Sequence, residues 1–125
     1  MSEKRNISLF LTDILTACEK ILRYADEIHQ EDGICDEKEM EAILYNLLVL
    51  GEAARSVPSE YKSLHPEIPW KRMVGMRDKL IHQYWGMQQM TIWNTIEHNI
   101  PDLMQKVRNL IVEMSDPANE TNLSP

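Results

Sequence analysis

The segment from Arg77 to Tyr84, with the sequence RDKLIHQY, contains residue types that could act on a phosphodiester bond. Arg77 carries a permanent charge and a planar fork of N–H donors that suits phosphate oxygens. His82 carries an imidazole, the side chain that most often serves as a general acid or base. On a helix, Asp78 lies one turn before His82, where its carboxylate could accept a hydrogen bond from the imidazole and orient it. Arg77 and His82 are therefore candidate catalytic residues, with Asp78 in support.

The element that must position these residues is a helix predicted over residues 70–85. Its apolar residues recur at the three- and four-residue spacing of a buried helical face: Trp70, Met73, Leu80 and Tyr84. Arg77 falls in the middle of this face, although burying an unpaired guanidinium is very costly. Either the face is not fully buried, or Arg77 meets an anionic group there.

His82 lies five positions after Arg77, and this offset corresponds to about 140° around an ideal helix. The two side chains therefore do not point in the same direction from one helix. A second copy of the helix, packed across a two-fold axis, could bring two arginines and two histidines around one groove. We expect a homodimer for this reason.

The chain of 125 residues is long enough for one domain with its own core, and its 43% hydrophobic content with only four glycines favours helices. No segment approaches the roughly 20 apolar residues that span a bilayer, and the first residues lack the pattern of a secretory signal. The two cysteines, Cys18 and Cys35, form neither a metal-binding pair nor a disulfide framework. We expect a cytoplasmic protein with reduced thiols and no membrane association.

The net charge of −7 argues against general coating of nucleic acid, but the charge is uneven. Acidic residues concentrate between positions 31 and 41. The predicted helix that carries the motif has a local excess of three positive charges, from Lys71, Arg72, Arg77 and Lys79 against Asp78. Lys71, Arg72 and Lys79 are candidates for contact with RNA, and the alternative is that they form an ordinary solvated helix face.

The remaining periodicities predict an all-α fold, an antiparallel bundle of two long helices and about three shorter ones. The long helices cover residues 7–30 and about 36–54, and shorter helices cover 58–64, 70–85 and 89–97, with a last one beginning at Pro101. We expect one bundle domain over residues 1–114 and a disordered tail over 115–125, because the tail is polar. Glu52 follows Gly51 late in the second long helix. It is either an exposed or helix-paired carboxylate, or a residue near the active groove.

The spacing of Arg77, His82 and Tyr84 resembles the signature of the HEPN superfamily, and the chain is similar within it to the HepT group. Further similar blocks are Leu50-Gly51-Glu52-Ala53-Ala54, Trp85-Gly86, Ile92-Trp93-Asn94-Thr95-Ile96 and Ile100-Pro101-Asp102-Leu103. The resemblance extends over roughly residues 7–114. HepT proteins are ribonuclease toxins paired with a small MNT-type nucleotidyltransferase antitoxin.

The resemblance implies a dimeric endoribonuclease that uses paired Arg77 and His82 without a metal, and a higher hetero-oligomer with the antitoxin. It also implies that the antitoxin transfers AMP to Tyr84, which would place negative charge beside Arg77 and block RNA. The sequence has no glycine-rich phosphate loop and no metal-ligand motif, so we expect no cofactor and no metal. The alternative is a helical scaffold without catalytic activity that holds the nucleotidyltransferase.

Overall fold

A computed structural model describes residues 2–30, 37–83 and 89–115 of the chain. In these ranges the backbone forms six helices and no strand, which confirms the predicted all-α fold. The helices are α1 (Ser2–Gln30), α2 (Glu37–Ser56), α3 (Ser59–Leu64), α4 (Trp70–Gln83), α5 (Gln89–His98) and α6 (Ile100–Ser115).

The observed helices lie close to their predicted positions, and the largest difference is at the start of α1. This helix begins at Ser2, five residues before the first apolar residue of its buried face. Lysine and arginine in this first stretch favour helix without needing burial, so the helix extends beyond its apolar face. At the other end of the chain, α6 includes Ser115, and the predicted tail from residue 116 onward lies outside the described residues.

The core is built around α1, which packs against α2 on one side and α6 on another. Every residue of its predicted apolar face is buried: Ile7, Leu11, Ile14, Cys18, Ile21, Ala25 and Ile28. Burial, with a smaller contribution from the charge of Glu19, raises the pKa of the Cys18 thiol to about 12. Cys18 is thus a packing residue kept in its neutral form, as predicted.

The helix α2 connects this core to the helix that carries the motif, because it contacts both α1 and α4. Its buried residues repeat at the predicted spacing: Met40, Ile43, Leu47, Leu50 and Ala54. The polar Asn46 is also buried, and its Nδ2 donates to the carbonyl of Ala42 at 2.8 Å. This bond satisfies the amide within its own helix, so the polar side chain is tolerated in the core.

The start of α4 is fixed by the proline-containing segment before it. Pro66 and Pro69 lie between α3 and α4 and prevent them from forming one continuous helix. The indole Nε1 of Trp70 donates to the carbonyl of His65 at 3.0 Å, and the amide of Met73 donates to the carbonyl of Pro69 at 3.1 Å. These two bonds, together with the buried side chain of Ile68, set where α4 begins and hence where its motif residues lie.

Candidate active site

Arg77 lies on the inner side of α4, between the buried residues Met73 and Leu80. Its own side chain is only 22% exposed. Both alternatives raised by the sequence therefore apply. The face is partly open at this position, and the guanidinium meets carboxylates.

Gly51 allows α4 to approach α2 closely at this point. A Cβ atom at Gly51 would overlap the Cβ of Arg77 and would lie 2.9 Å from the carbonyl oxygen of Met73. A contact this short with a backbone atom cannot be relieved by rotating a side chain. Glycine is therefore required, and the close approach places Glu52, the next residue of α2, beside Arg77.

Four charged side chains from the two helices form one network, which we call the charged network: Glu52, Arg55, Arg77 and Asp78. The Nε of Arg77 forms an ion pair with Oε2 of Glu52 at 2.8 Å, and its Nη1 donates a hydrogen bond to Oδ1 of Asp78 at 2.9 Å. The Nη2 of Arg55 donates to Oδ1 and Oδ2 of Asp78 at 2.9 and 3.2 Å. Two cations and two anions give the network a net charge of zero.

The N–H groups on Nη2 of Arg77 indicate how this residue could bind a ligand. The Glu52 and Asp78 contacts use Nε and Nη1, and no group in the described part of the chain accepts from Nη2. The guanidinium is thus held in one orientation while its Nη2 N–H groups remain available. This arrangement suits a phosphate oxygen that approaches from solvent.

His82 is exposed near the end of α4, five residues after Arg77. Within the described ranges, neither Asp78 nor any other residue forms a hydrogen bond or ion pair with it. The Asp78 carboxylate is instead engaged by Arg55 and Arg77. An exposed imidazole at this position is accessible to a substrate, and its orientation is not set by Asp78 in the monomer.

Other residues singled out in the sequence take simpler positions. Lys71, Arg72 and Lys79 are all exposed on α4, as either of their two interpretations requires. Tyr84 lies outside the described residues.

In residues 2–30, 37–83 and 89–115, no three histidine, cysteine or acidic side chains lie close enough together to hold a metal ion. Across the same ranges, no helix combines the length and apolar character needed to cross a bilayer.

The sequence analysis left open the role of Glu52 and did not identify Arg55. Glu52 is both exposed and paired with another helix, and the helix it pairs with carries the motif. Arg55 follows Glu52 by three residues, so the two lie on the same side of α2 and reach the same stretch of α4. The signal that could have identified them is a glycine on a buried helical face, followed directly by Glu52 and then, one helical turn later, by Arg55.

The comparisons with known proteins identify the family of the chain. The family model for ribonuclease HepT-like proteins matches residues 14–110. A protein of Thermococcus cleftensis named "Probable ribonuclease HepT" is 43% identical over 107 residues, covering 86% of this chain and 97% of that protein.

A second relative, from Methanocaldococcus jannaschii, bears the name "Putative RNase MJ0125" and is 34% identical over 113 residues. That match covers 90% of this chain and 97% of the relative. No solved structure matches the chain. The predicted family is confirmed, and the chain belongs to the HepT-like ribonuclease family.

Proposed function

We propose that this protein is a metal-independent endoribonuclease whose active groove is shared by two subunits. The observation that carries the proposal is the state of Arg77, which is held by Glu52 and Asp78 while its Nη2 N–H groups face no acceptor among the residues that the structure describes. Membership of the HepT-like family supplies RNA as the substrate class. His82, exposed on the same helix, supplies an imidazole, a side chain that can act as a general acid or base.

The reaction is a transesterification within the RNA strand. The 2′-oxygen forms a bond to the adjacent phosphorus while the bond from phosphorus to the 5′-oxygen breaks. One histidine removes the proton of the 2′-hydroxyl, and an acid returns a proton to the departing 5′-oxygen. Arg77 stabilises the negative charge that develops on the phosphoryl oxygens. A single His82 cannot be base and acid in the same step, which favours a dimer that supplies two.

The test is cleavage of purified tRNA and mRNA in EDTA by the wild type, Arg77→Ala and His82→Ala. Loss of general acid–base catalysis costs about 10²–10⁴-fold in rate, and we expect a decrease in this range for His82→Ala. Arg108→Ala is the matched control, because Arg108 is an exposed arginine on α6 that takes no part in the charged network. Equal cleavage by all four proteins would rule out the catalytic roles, and loss of wild-type activity in EDTA would rule out metal independence.

We further propose that the protein is the toxin of a toxin–antitoxin pair and is neutralised by AMP transfer to Tyr84. The supporting argument is proximity in sequence, since Tyr84 follows His82 by two residues and Arg77 by seven. A nucleotide phosphate added there would compete for the N–H groups of Arg77. Intact mass after co-expression with a minimal nucleotidyltransferase should increase by units of AMP. The same increase on Tyr84→Phe would remove Tyr84 from this role.

A scaffold for the nucleotidyltransferase is the second candidate function. The zero net charge of the charged network and the overall charge of −7 favour it over an RNA-binding enzyme. The cleavage assay separates the two, because a scaffold predicts no difference between wild type and the Arg77 and His82 variants. Size-exclusion chromatography with light scattering tests the homodimer that the enzyme requires.

A further inference from the structure

We propose that Arg55 is a positioning residue of the ribonuclease site, which holds the Asp78 carboxylate so that Arg77 keeps N–H groups available for an RNA phosphate. This inference rests on the proposed function, since it concerns how the same site binds its substrate. Arg55 itself need not touch RNA. It acts through Asp78.

The geometry of the shared carboxylate is the first argument. Oδ1 of Asp78 accepts from both arginines, at 2.9 Å in each case. Oδ2 of Asp78 accepts from Arg55 alone, at 3.2 Å. Without Arg55, this second oxygen would be free to accept from the Nη2 of Arg77. A carboxylate and a guanidinium readily form such a two-bond pair, and it would use the donors that a phosphate needs.

The charge balance is the second argument. Glu52, Arg77 and Asp78 alone carry a net charge of −1, and Arg55 brings the sum to zero. A net negative charge within a few ångströms of the binding point repels a phosphate group. Arg55 therefore removes an electrostatic barrier as well as a competing acceptor.

A second cation, Lys62 on α3, lies close enough to Arg55 for the two charges to interact. Burial, and then the positive charge of Arg55, lower the pKa of Lys62. In the described part of the chain, no carboxylate lies within ion-pair distance of Lys62. Arg55 thus pairs with Asp78 and also interacts with Lys62. Together the two cations keep the region beside Asp78 from becoming negative.

A purely structural role does not explain the Arg55–Asp78 pair. Its side chains are 49% and 44% exposed, and exposed ion pairs contribute little to stability because water screens them. Losing the pair should therefore leave the fold intact while changing how Arg77 meets its ligand.

The test compares the wild type, Arg55→Ala, Asp78→Asn and the double variant. We expect Arg55→Ala to raise the KM for RNA roughly tenfold and to leave kcat nearly unchanged, because saturating RNA displaces the competing carboxylate. In the double variant the competing charge is gone, so KM should return to within about twofold of that of Asp78→Asn. Arg55→Lys should fall between the wild type and Arg55→Ala, and Arg108→Ala should match the wild type.

A second measurement does not depend on cleavage. Binding of a 2′-O-methyl RNA oligonucleotide, followed by fluorescence anisotropy, should show the same order of Kd values. If the wild type binds this RNA but cuts none, the proposed function fails and the binding data still decide the inference.

Three results would overturn the inference. The first is an unchanged KM and Kd in Arg55→Ala. The second is a weakening that Asp78→Asn does not rescue, which would mean that Arg55 touches RNA directly. The third is a wild type that binds no RNA at all.

Discussion

The two faces of α2 differ sharply in what they contact. Toward the core, α2 contributes apolar side chains that are almost completely buried, as Ile43 and Leu47 illustrate. Toward α4, it contributes a glycine and two charged residues, Glu52 and Arg55, that bind partners on the other helix. One helix thus combines a face that holds the bundle together with a face that holds Arg77 in place.

The difference shows where the free energy of folding and the specificity of the site come from. Apolar burial is roughly proportional to area and tolerates changes of side-chain shape. The contact between α2 and α4 depends on a missing Cβ at Gly51 and on named donor and acceptor atoms. We expect variants on the first face to change stability alone and variants on the second to change activity at lower cost in stability.

The largest expected effect on stability is at the core face of α1. Ile14→Ala should lower the free energy of unfolding by about 2–5 kcal/mol, because Ile14 is fully buried and its loss leaves a cavity. Urea denaturation measures the change. Cleavage per folded molecule should be unaffected, since α1 does not lie against α4 in the described structure. A loss of activity larger than the loss of folded protein would contradict the separation between the apolar core and the site on α4.

Gly51→Ala should affect both stability and activity. The added Cβ would press on Arg77 and on the backbone of Met73, so we expect a destabilisation of about 1–3 kcal/mol and a displaced guanidinium. Gly75→Ala is the matched control, because a Cβ there meets nothing within 4 Å. That control should stabilise α4 by up to about 1 kcal/mol through helix propensity. Similar results for the two glycines would show that the close approach is unimportant.

Alkaline pH should lower the free energy of unfolding, because the buried Cys18 thiol ionises more readily in the unfolded chain. Its pKa is raised from 9.0 to about 12 in the folded state, so the stabilisation is complete below pH 9 and is lost as the pH rises toward 12. The slope is at most about 1.4 kcal/mol per pH unit in this window. Urea denaturation at pH 8 and pH 10 measures it, and Cys18→Ala should reduce the slope. The pKa of Tyr61 is also raised to about 12, first by burial and then by the charges of Glu113 and Glu67. Its ionisation accounts for part of the slope that remains in Cys18→Ala.

The smallest expected change in stability is at Glu52, which is more than half exposed. Glu52→Gln should alter the free energy of unfolding by less than about 1 kcal/mol. Its amide oxygen can still accept from the Nε of Arg77, while the negative charge is removed, so the KM for RNA should fall. Glu52→Ala removes the acceptor as well and should lower kcat. If the two variants have the same kinetics, Glu52 does not orient Arg77.

Much of the fold could be predicted because apolar spacing directly reports the buried face of a helix. The helix predicted over residues 7–30 lies within the observed α1, and the predicted start of the motif helix at residue 70 is the observed start of α4. The site was predicted less completely. Arg77 was identified because it interrupts an apolar face, whereas Arg55 occupies an exposed position of α2 and interrupts no apolar face.

By itself, the sequence determined the all-α class, the helix positions and the family, since each depends on residue types at short spacing along the chain. Only the tertiary structure decided that Asp78 binds Arg55 and Arg77 rather than forming a bond with His82 in the described monomer. The reason is physical. A carboxylate takes the strongest donors within reach, and one of these donors, Arg55, comes from another helix and lies 23 residues away in the chain. Spacing along α4 cannot report a partner on α2, and that partner sets the charge that Arg77 presents to a phosphate.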